Sequence, residues 1–174
     1  AAGIIALTEW NGELPLYDPM CGSGTLLCEA LMHYSRIPAQ IFREGFGFER
    51  LPDFDPQLWE RVLAEAKDEI RPLPQGLIRG SDVAETSVDA VKTNLMGLHY
   101  GGDIPIELSD FKELPPIEDS VIVTNPPIIS IHQIPTIPIE IFLIIYIMSS
   151  VSRCSSKRKE VFLTLRSTDC LFIR

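Results

Sequence analysis

The sequence predicts an α/β protein, a doubly wound and mostly parallel sheet with helices on both faces. Three observations predict it. Strand-like apolar runs alternate with helix-periodic segments along the 174 residues, the pattern of a parallel sheet whose crossovers are helices. The run Leu14-Pro15-Leu16-Tyr17 passes into Asp18-Pro19-Met20-Cys21-Gly22-Ser23-Gly24-Thr25 and then into a helix-like stretch, which describes a strand, a tight glycine turn and a helix start. Far downstream, Asn125-Pro126-Pro127 closes the apolar run Ser120-Val121-Ile122-Val123-Thr124 and so sits at the carboxyl end of another strand.

In chain order, a leading helix is read over 1–10, a strand over 14–17 and a helix over 24–34. An excursion follows over 37–74. Within it Asp55 is placed to cap a helix that has Pro56 in its first turn, and Leu58, Trp59, Val62, Leu63 and Ala66 recur at helical spacing. Trp59 is read as core, and Phe46-Gly47-Phe48-Glu49 either borders a cleft or packs the excursion against the sheet. Then come a strand over 77–80, a helix over 84–98, and strands over 104–108 and 120–124. Beyond Pro127 the pattern predicts a helix near 139–150 and a strand over 160–165. Residues 128–147 hold ten isoleucines, with prolines at 135 and 138, a bias unlike the rest of the chain.

Length bounds the chain to one domain, 1–174, with enough residues to bury a core. A hydrophobic share of 45% and a charged share of 22% are ordinary for a globular protein. The cysteines, Cys21, Cys28, Cys154 and Cys170, form no Cys-x-x-Cys pair and no His–Cys cluster, so neither a metal site nor a disulfide framework is signalled. A reduced, cytoplasmic setting is expected, and the start Ala1-Ala2-Gly3-Ile4-Ile5 carries no basic leader. No membrane span is expected either. The apolar stretch over 137–148 is twelve residues long and contains Glu140, too short to cross a bilayer. Net charge is −9, which disfavours a free-standing nucleic-acid binder. The basic cluster of Arg153 with Lys157-Arg158-Lys159 is short, and His33, His99 and His132 show no catalytic grouping.

The glycine turn excludes two ligand classes. After Gly22 and Gly24 the third glycine of a dinucleotide fingerprint is replaced by Leu27, and no Gly-Lys-Ser/Thr follows as in a phosphate loop. What remains suits a ligand with an adenosine and a charged amino-acid tail but no phosphate. Asp18 either meets that tail's ammonium end or simply caps the turn. Gly22 and Gly24 permit positive φ and close backbone approach, while Thr25 either caps the helix or touches the ligand. Asp82 ends the second strand, where doubly wound folds place an acid on ribose hydroxyls; otherwise Asp82 or Glu85 caps the next helix.

The stretch from Asp18 to Thr25, taken with Asn125-Pro126-Pro127, resembles class I S-adenosylmethionine-dependent methyltransferases of the Asn-Pro-Pro-Tyr type, which methylate exocyclic amino groups of bases. More narrowly, Phe46-Gly47-Phe48-Glu49, the following Trp59 and Gly80-Ser81-Asp82 resemble the catalytic domain of THUMP-associated bacterial 23S rRNA guanine-N2 methyltransferases. The resemblance runs from Ala1 to about Pro127. It implies a Rossmann-like methyltransferase sheet, here truncated because the parallel strands run out near the fifth, and an RNA-binding domain ahead of Ala1. It implies S-adenosyl-L-methionine as cofactor, held by Asp18, Pro19, Cys21, Gly22, Ser23, Gly24 and Thr25, with Asp82 on the ribose and Asn125 alongside. In the same comparison Asp110 and Phe111, after Ser109, look like the pair that reads adenine, unless Asp110 is a solvated loop residue beside a core Phe.

Asn125, Pro126 and Pro127 are the implied catalytic element. An exocyclic amine is a poor nucleophile because its lone pair is delocalised into the ring. The Asn125 side-chain oxygen and the Pro126 carbonyl would accept its hydrogens and aim the lone pair at the methyl, in a backbone the prolines hold still. The family then has an aromatic residue that stacks on the flipped base, where this chain has Ile128. The implied activity is methylation of guanine N2 in RNA, with 23S rRNA favoured. The alternatives are a tRNA or DNA amino-methyltransferase, or a non-catalytic S-adenosylmethionine-binding module.

Overall fold

The computed structural model describes residues 1–115, 117 and 119–125, together with the strand backbones at 142–145, 163–166 and 169–172. Among them the elements run α1 (Ala2–Leu7), β1 (Leu16–Asp18), α2 (Thr25–Ser35), α3 (Pro56–Asp68), β2 (Ile78–Asp82), α4 (Glu85–Met96), β3 (Ile106–Leu108), β4 (Val121–Thr124), β5 (Phe142–Ile145), β6 (Leu163–Arg166) and β7 (Asp169–Phe172). The first five strands make one parallel sheet in the order β3-β2-β1-β4-β5. Leu16 lies in register with Ile78 on one side and Val121 on the other. The order reverses between β1 and β4, the switch point at which open α/β sheets leave a crevice outside the carboxyl ends of their strands. Among the described residues the parallel sheet has five strands. The strand expected over 160–165 is one arm of an antiparallel β6–β7 hairpin that forms a sheet of its own.

Local sequence explains these elements. β1 is buried along its length, as a central parallel strand must be. α2 buries Leu26, Leu27, Ala30 and Leu31, a spacing that turns one stripe toward the sheet, and it packs against β2 and α4. α2 and α4, the crossovers from β1 to β2 and from β2 to β3, pack on each other and on β2, as crossovers running the same way along the sheet are expected to; the connections of β4 to β5 and of β5 to β6 lie outside the described residues. Leu16, Leu27, Leu31, Ile78, Val91, Leu95 and Val123 are the centre of the core, each 1% exposed or less. Truncating one of its leucines to alanine would cost about 2–5 kcal/mol. α1 packs on α2 and buries Ile5. Beyond it the Trp10 indole N–H donates to the Leu14 carbonyl at 2.8 Å. α3 starts as expected, with Asp55 accepting from the Gln57 and Leu58 N–H groups at 2.9 and 3.1 Å. Among the described residues no helix is long and apolar enough to cross a membrane.

Two expectations are corrected. In place of the helix over 139–150, Phe142-Leu143-Ile144-Ile145 forms β5, paired in register with Val121 to Thr124. A continuous apolar run carries no period that separates a buried strand from a helix, and β-branched and aromatic side chains favour the pleated state. Trp59 is not core. It is half-buried and meets Phe46 and Phe48 edge-on at 5.5 and 4.9 Å. With Phe54, 5.9 Å from Phe48, these rings form a satellite cluster inside the excursion, so the Phe46-Gly47-Phe48-Glu49 segment serves packing there. α3 itself has no buried residue.

Candidate functional site

The carboxyl end of β1 is the centre of the site, because Pro19 stops the strand and the chain must turn sharply into α2. Gly22 and Gly24 supply the positive φ values the turn needs, +53° and +80°, which cost a side-chain-bearing residue about 1–2 kcal/mol. The turn closes on itself through the Gly24 N–H, which donates to the Cys21 carbonyl at 2.8 Å. Gly24 is also the N-cap of α2, and having no side chain it leaves the first-turn N–H groups without a side-chain cap. Thr25, at the first helical position, is exposed.

β2 and α4 hold this turn from behind. The Gly22 N–H donates to Asp82 Oδ2 at 2.8 Å, while the Ala84 N–H donates to Asp82 Oδ1 at 3.0 Å. Asp82 therefore closes a tight turn ahead of α4, whose N-cap is Ala84, and braces the glycine turn with the same carboxylate. The Cys21 N–H donates to the Ser81 carbonyl at 2.9 Å. On α4, the Asn94 side-chain amide donates to the Ser23 carbonyl at 2.9 Å. A Cβ on Gly24 would drive into Val91, so turn and helix are in direct contact.

Asp18 lies at the foot of this arrangement, 1% exposed, and its Oδ1 accepts from the Met20 N–H at 3.2 Å. Burial pushes its carboxyl up to about 7, and the Asp82 charge adds to the rise. The Thr124 hydroxyl, buried without a closed hydrogen bond, and the Met20 N–H act against it. Burial likewise pushes the Cys21 thiol up to about 12, aided by Asp18 and Asp82, so this cysteine is a packing residue rather than a nucleophile.

A cleft of about 580 Å³ opens over the turn, lined by Asp18, Met20, Cys21, Gly22, Ser23, Thr25, Leu26 and Asn125 and by Ala1, Gly3, Ile4 and Leu7 of the leading segment. That is the size of a small-molecule site. Apart from its chain neighbours, nothing lies within 4 Å of where a Gly22 Cβ would stand, so a ligand could approach the backbone there. The cleft thus gathers Asp18, Cys21, Gly22, Ser23, Thr25 and Asn125. Pro19 is buried behind the turn. Asp82, Asp110 and Phe111 do not line it, but they stand at the neighbouring strand ends: the Ser109 N–H donates to the Asp82 carbonyl at 3.0 Å. Asp110 accepts from the Lys112 N–H at 3.0 Å and caps a short 3-10 turn, and both Asp110 and Phe111 are half-buried. Asn125 is exposed directly after β4. Pro126, Pro127 and Ile128 lie outside the described residues.

Sequence reasoning misses three contributions. The α1 residues on the cleft wall read only as a helix, Asn94 reads as one polar residue on a helix face, and Ser81 reads as part of a motif without a task. Only for α1 was a signal available, since Ile4 and Leu7 sit at helical spacing around the buried Ile5.

A family model described as RMKL-like, methyltransferase domain matches residues 1–157. The chain is 38% identical over 128 residues to a protein of Synechocystis sp. named as an RNA methyltransferase, covering 73% of this chain and 33% of that protein. It is 38% identical over 133 residues to ribosomal RNA large subunit methyltransferase K/L of Psychromonas ingrahamii, covering 73% and 18% respectively. A solved structure described as a methyltransferase complexed with SAH (S-adenosylhomocysteine) is similar, with a TM-score of 0.66 and 30% identity, over 72% of this chain and 33% of that one. The chain spans a third or less of the length of these relatives.

Proposed function

Because the chain belongs to the RMKL-like methyltransferase domain family, we propose that it is the catalytic domain of an S-adenosyl-L-methionine-dependent RNA methyltransferase, acting on the N2 amine of a guanine in 23S rRNA. The observation that carries this reading is the cleft at the sheet's switch point, where a buried acid, an open glycine turn and Asn125 share one wall. When bound, the cofactor supplies a methyl group activated on a sulfonium. The residues present fit it. The first-turn N–H groups of α2 suit its carboxylate, and Asp18 at the foot of the cleft suits its ammonium. Asp82, whose oxygens keep spare lone pairs beside their two backbone bonds, suits the ribose, with Asp110 and Phe111 taking the adenine.

Asn125 would accept a hydrogen from the base amine, with the Pro126 carbonyl taking the other, so that the nitrogen lone pair is freed from the ring and aimed. Transfer to a nitrogen held this way would be an in-line displacement, with the N–C bond forming as the C–S bond breaks and its electron pair leaves with sulfur, and with the surplus N–H proton lost to solvent; positioning accelerates it. At a net charge of −9 the domain has little with which to grip phosphates. A separate RNA-binding domain of the full-length protein captures the rRNA in this reading, and the site of action is the cytoplasm. The test is methyl transfer from labelled cofactor by the full-length protein to unmodified 23S rRNA, tRNA and DNA, with nucleosides identified by mass spectrometry. Label in rRNA as N2-methylguanine is the expected result. Label confined to tRNA or DNA would reassign the substrate, and cofactor binding with no transfer to any of them would make this a non-catalytic module.

A further inference from the structure

We infer that Asn94 is a positioning residue for the cofactor, acting through the Ser23–Gly24 peptide; this rests on the reading that the cleft takes S-adenosylmethionine. The peptide joins Ser23 to Gly24, whose φ is +80°. Glycine lowers the cost of rotating a peptide plane, because neither hand of φ is penalised. Left alone, such a plane could turn its carbonyl toward either side of the loop. Here it is held at both ends. Its N–H donates to the Cys21 carbonyl at 2.8 Å, and its oxygen accepts from Asn94 Nδ2 at 2.9 Å. Asn94 is on α4 and does not line the cleft, whereas Ser23 does. The carbonyl dipole is therefore drawn toward α4 and away from the space above the first turn of α2.

The consequence is electrostatic. The uncapped N–H groups at the start of α2 favour an anion, and a carbonyl oxygen swung into the same space would repel it. The Gly22 N–H bond to Asp82 and the seating of Gly24 on Val91 fix the two flanks of the turn, while the central peptide is held by the Cys21 carbonyl at its N–H and by Asn94 at its oxygen. Asn94 thus prepares the place of the cofactor's carboxylate without touching it, and its effect is confined to ligands that carry one.

Calorimetry on the full-length protein with S-adenosylhomocysteine and with adenosine tests this. Asn94→Ala should weaken S-adenosylhomocysteine binding about three- to tenfold, the worth of one ordinary hydrogen bond. Asn94→Asp, which sets a carboxylate against the carbonyl, should weaken it further. Adenosine, with no carboxylate, should bind wild type and both variants alike. Thr93→Ala, the neighbouring position, whose hydroxyl bonds only the Asp89 carbonyl within α4, should change neither affinity. Equal loss for the two ligands would mean that Asn94 merely supports the fold, and unchanged S-adenosylhomocysteine affinity would remove its role; either result overturns the inference. If the wild-type protein binds neither ligand, the cofactor reading itself fails and the inference falls with it.

Discussion

The hydroxyl groups of Tyr17 and Ser81, on adjacent strands and 64 residues apart in sequence, meet at 2.7 Å in the buried seam between β1 and β2. Ser81 gives its own hydrogen to the Pro19 carbonyl at 3.3 Å, so Tyr17 is the donor of the pair. The seam therefore fixes the residue at which β1 becomes the glycine turn, and burial raises the Tyr17 phenol above its ordinary range. Tyr17→Phe leaves Ser81 its bond to Pro19 and should cost about 0.5–1.5 kcal/mol. Ser81→Ala strands two buried groups and should cost more, about 1–3 kcal/mol. Urea unfolding of the two variants checks the order, and the reverse order would mean that the Pro19 bond contributes nothing.

Gly24 and Gly22 should respond differently to alanine. At Gly24 the new Cβ meets Val91 and sits at φ +80°, which together should cost roughly 2–5 kcal/mol. At Gly22 the space is open, so the stability loss is the conformational cost alone, about 1–2 kcal/mol, while the methyl intrudes on the cleft. Thermal unfolding and S-adenosylhomocysteine affinity should rank the variants in opposite orders. A common order would mean that Gly22 does not face the ligand.

The Asp18 carboxyl, held at about 7 against an ordinary 3.8, should make both stability and binding depend on pH. As pH rises from about 4 to about 7 the unfolded chain gives up this proton and the folded chain keeps it, so the group's contribution to stability falls across that window and levels off above it. Asp18→Asn should flatten that part of the stability curve. A ligand ammonium favours the ionised form, so binding of S-adenosylhomocysteine below pH 7 should release a proton and tighten between pH 6 and pH 8. Calorimetry in buffers of different ionisation heats measures that proton, and its absence would place the ammonium elsewhere.

Asn125→Ala should lower the methyl-transfer rate on the order of a hundredfold or more, the cost of losing one oriented group in a preorganised site. Cofactor affinity should change little, because the cleft keeps Asp18 and the glycine turn. Single-turnover kinetics beside calorimetry separate the two effects, and a variant with normal turnover would end the catalytic role given to Asn125.

Ile128→Tyr should raise activity on unmodified rRNA. An aromatic platform restores base stacking worth about 1–3 kcal/mol, equivalent to about one to two decades in substrate occupancy. Steady-state assays of the full-length protein should show the gain as a lower KM. No gain, with cofactor affinity equal in both proteins, would locate the difference from Asn-Pro-Pro-Tyr enzymes beyond residue 128.

What the sequence alone determined is everything written in short spacings. The Gly-x-Gly turn after an apolar run, the Asp55-Pro56 helix start and the strand-closing Asn125 depend on interactions within a few residues, which chirality and backbone hydrogen bonding impose locally. Composition likewise sets the net charge of −9. The identity of 142–145 was decided by the tertiary structure, because an apolar run takes its state from the neighbour it pairs with, here β4. The same holds for Trp59, whose helical spacing marks an apolar face but does not say whether a core or a local ring cluster meets it. The leading helix was legible as a helix, yet its place on the cleft wall was not. The bonds of Asp82 to Gly22, Asn94 to Ser23 and Tyr17 to Ser81 span 60, 71 and 64 residues. No local spacing encodes such pairs, because they exist only once the parallel register of β1 and β2 has brought the turn against β2 and α4.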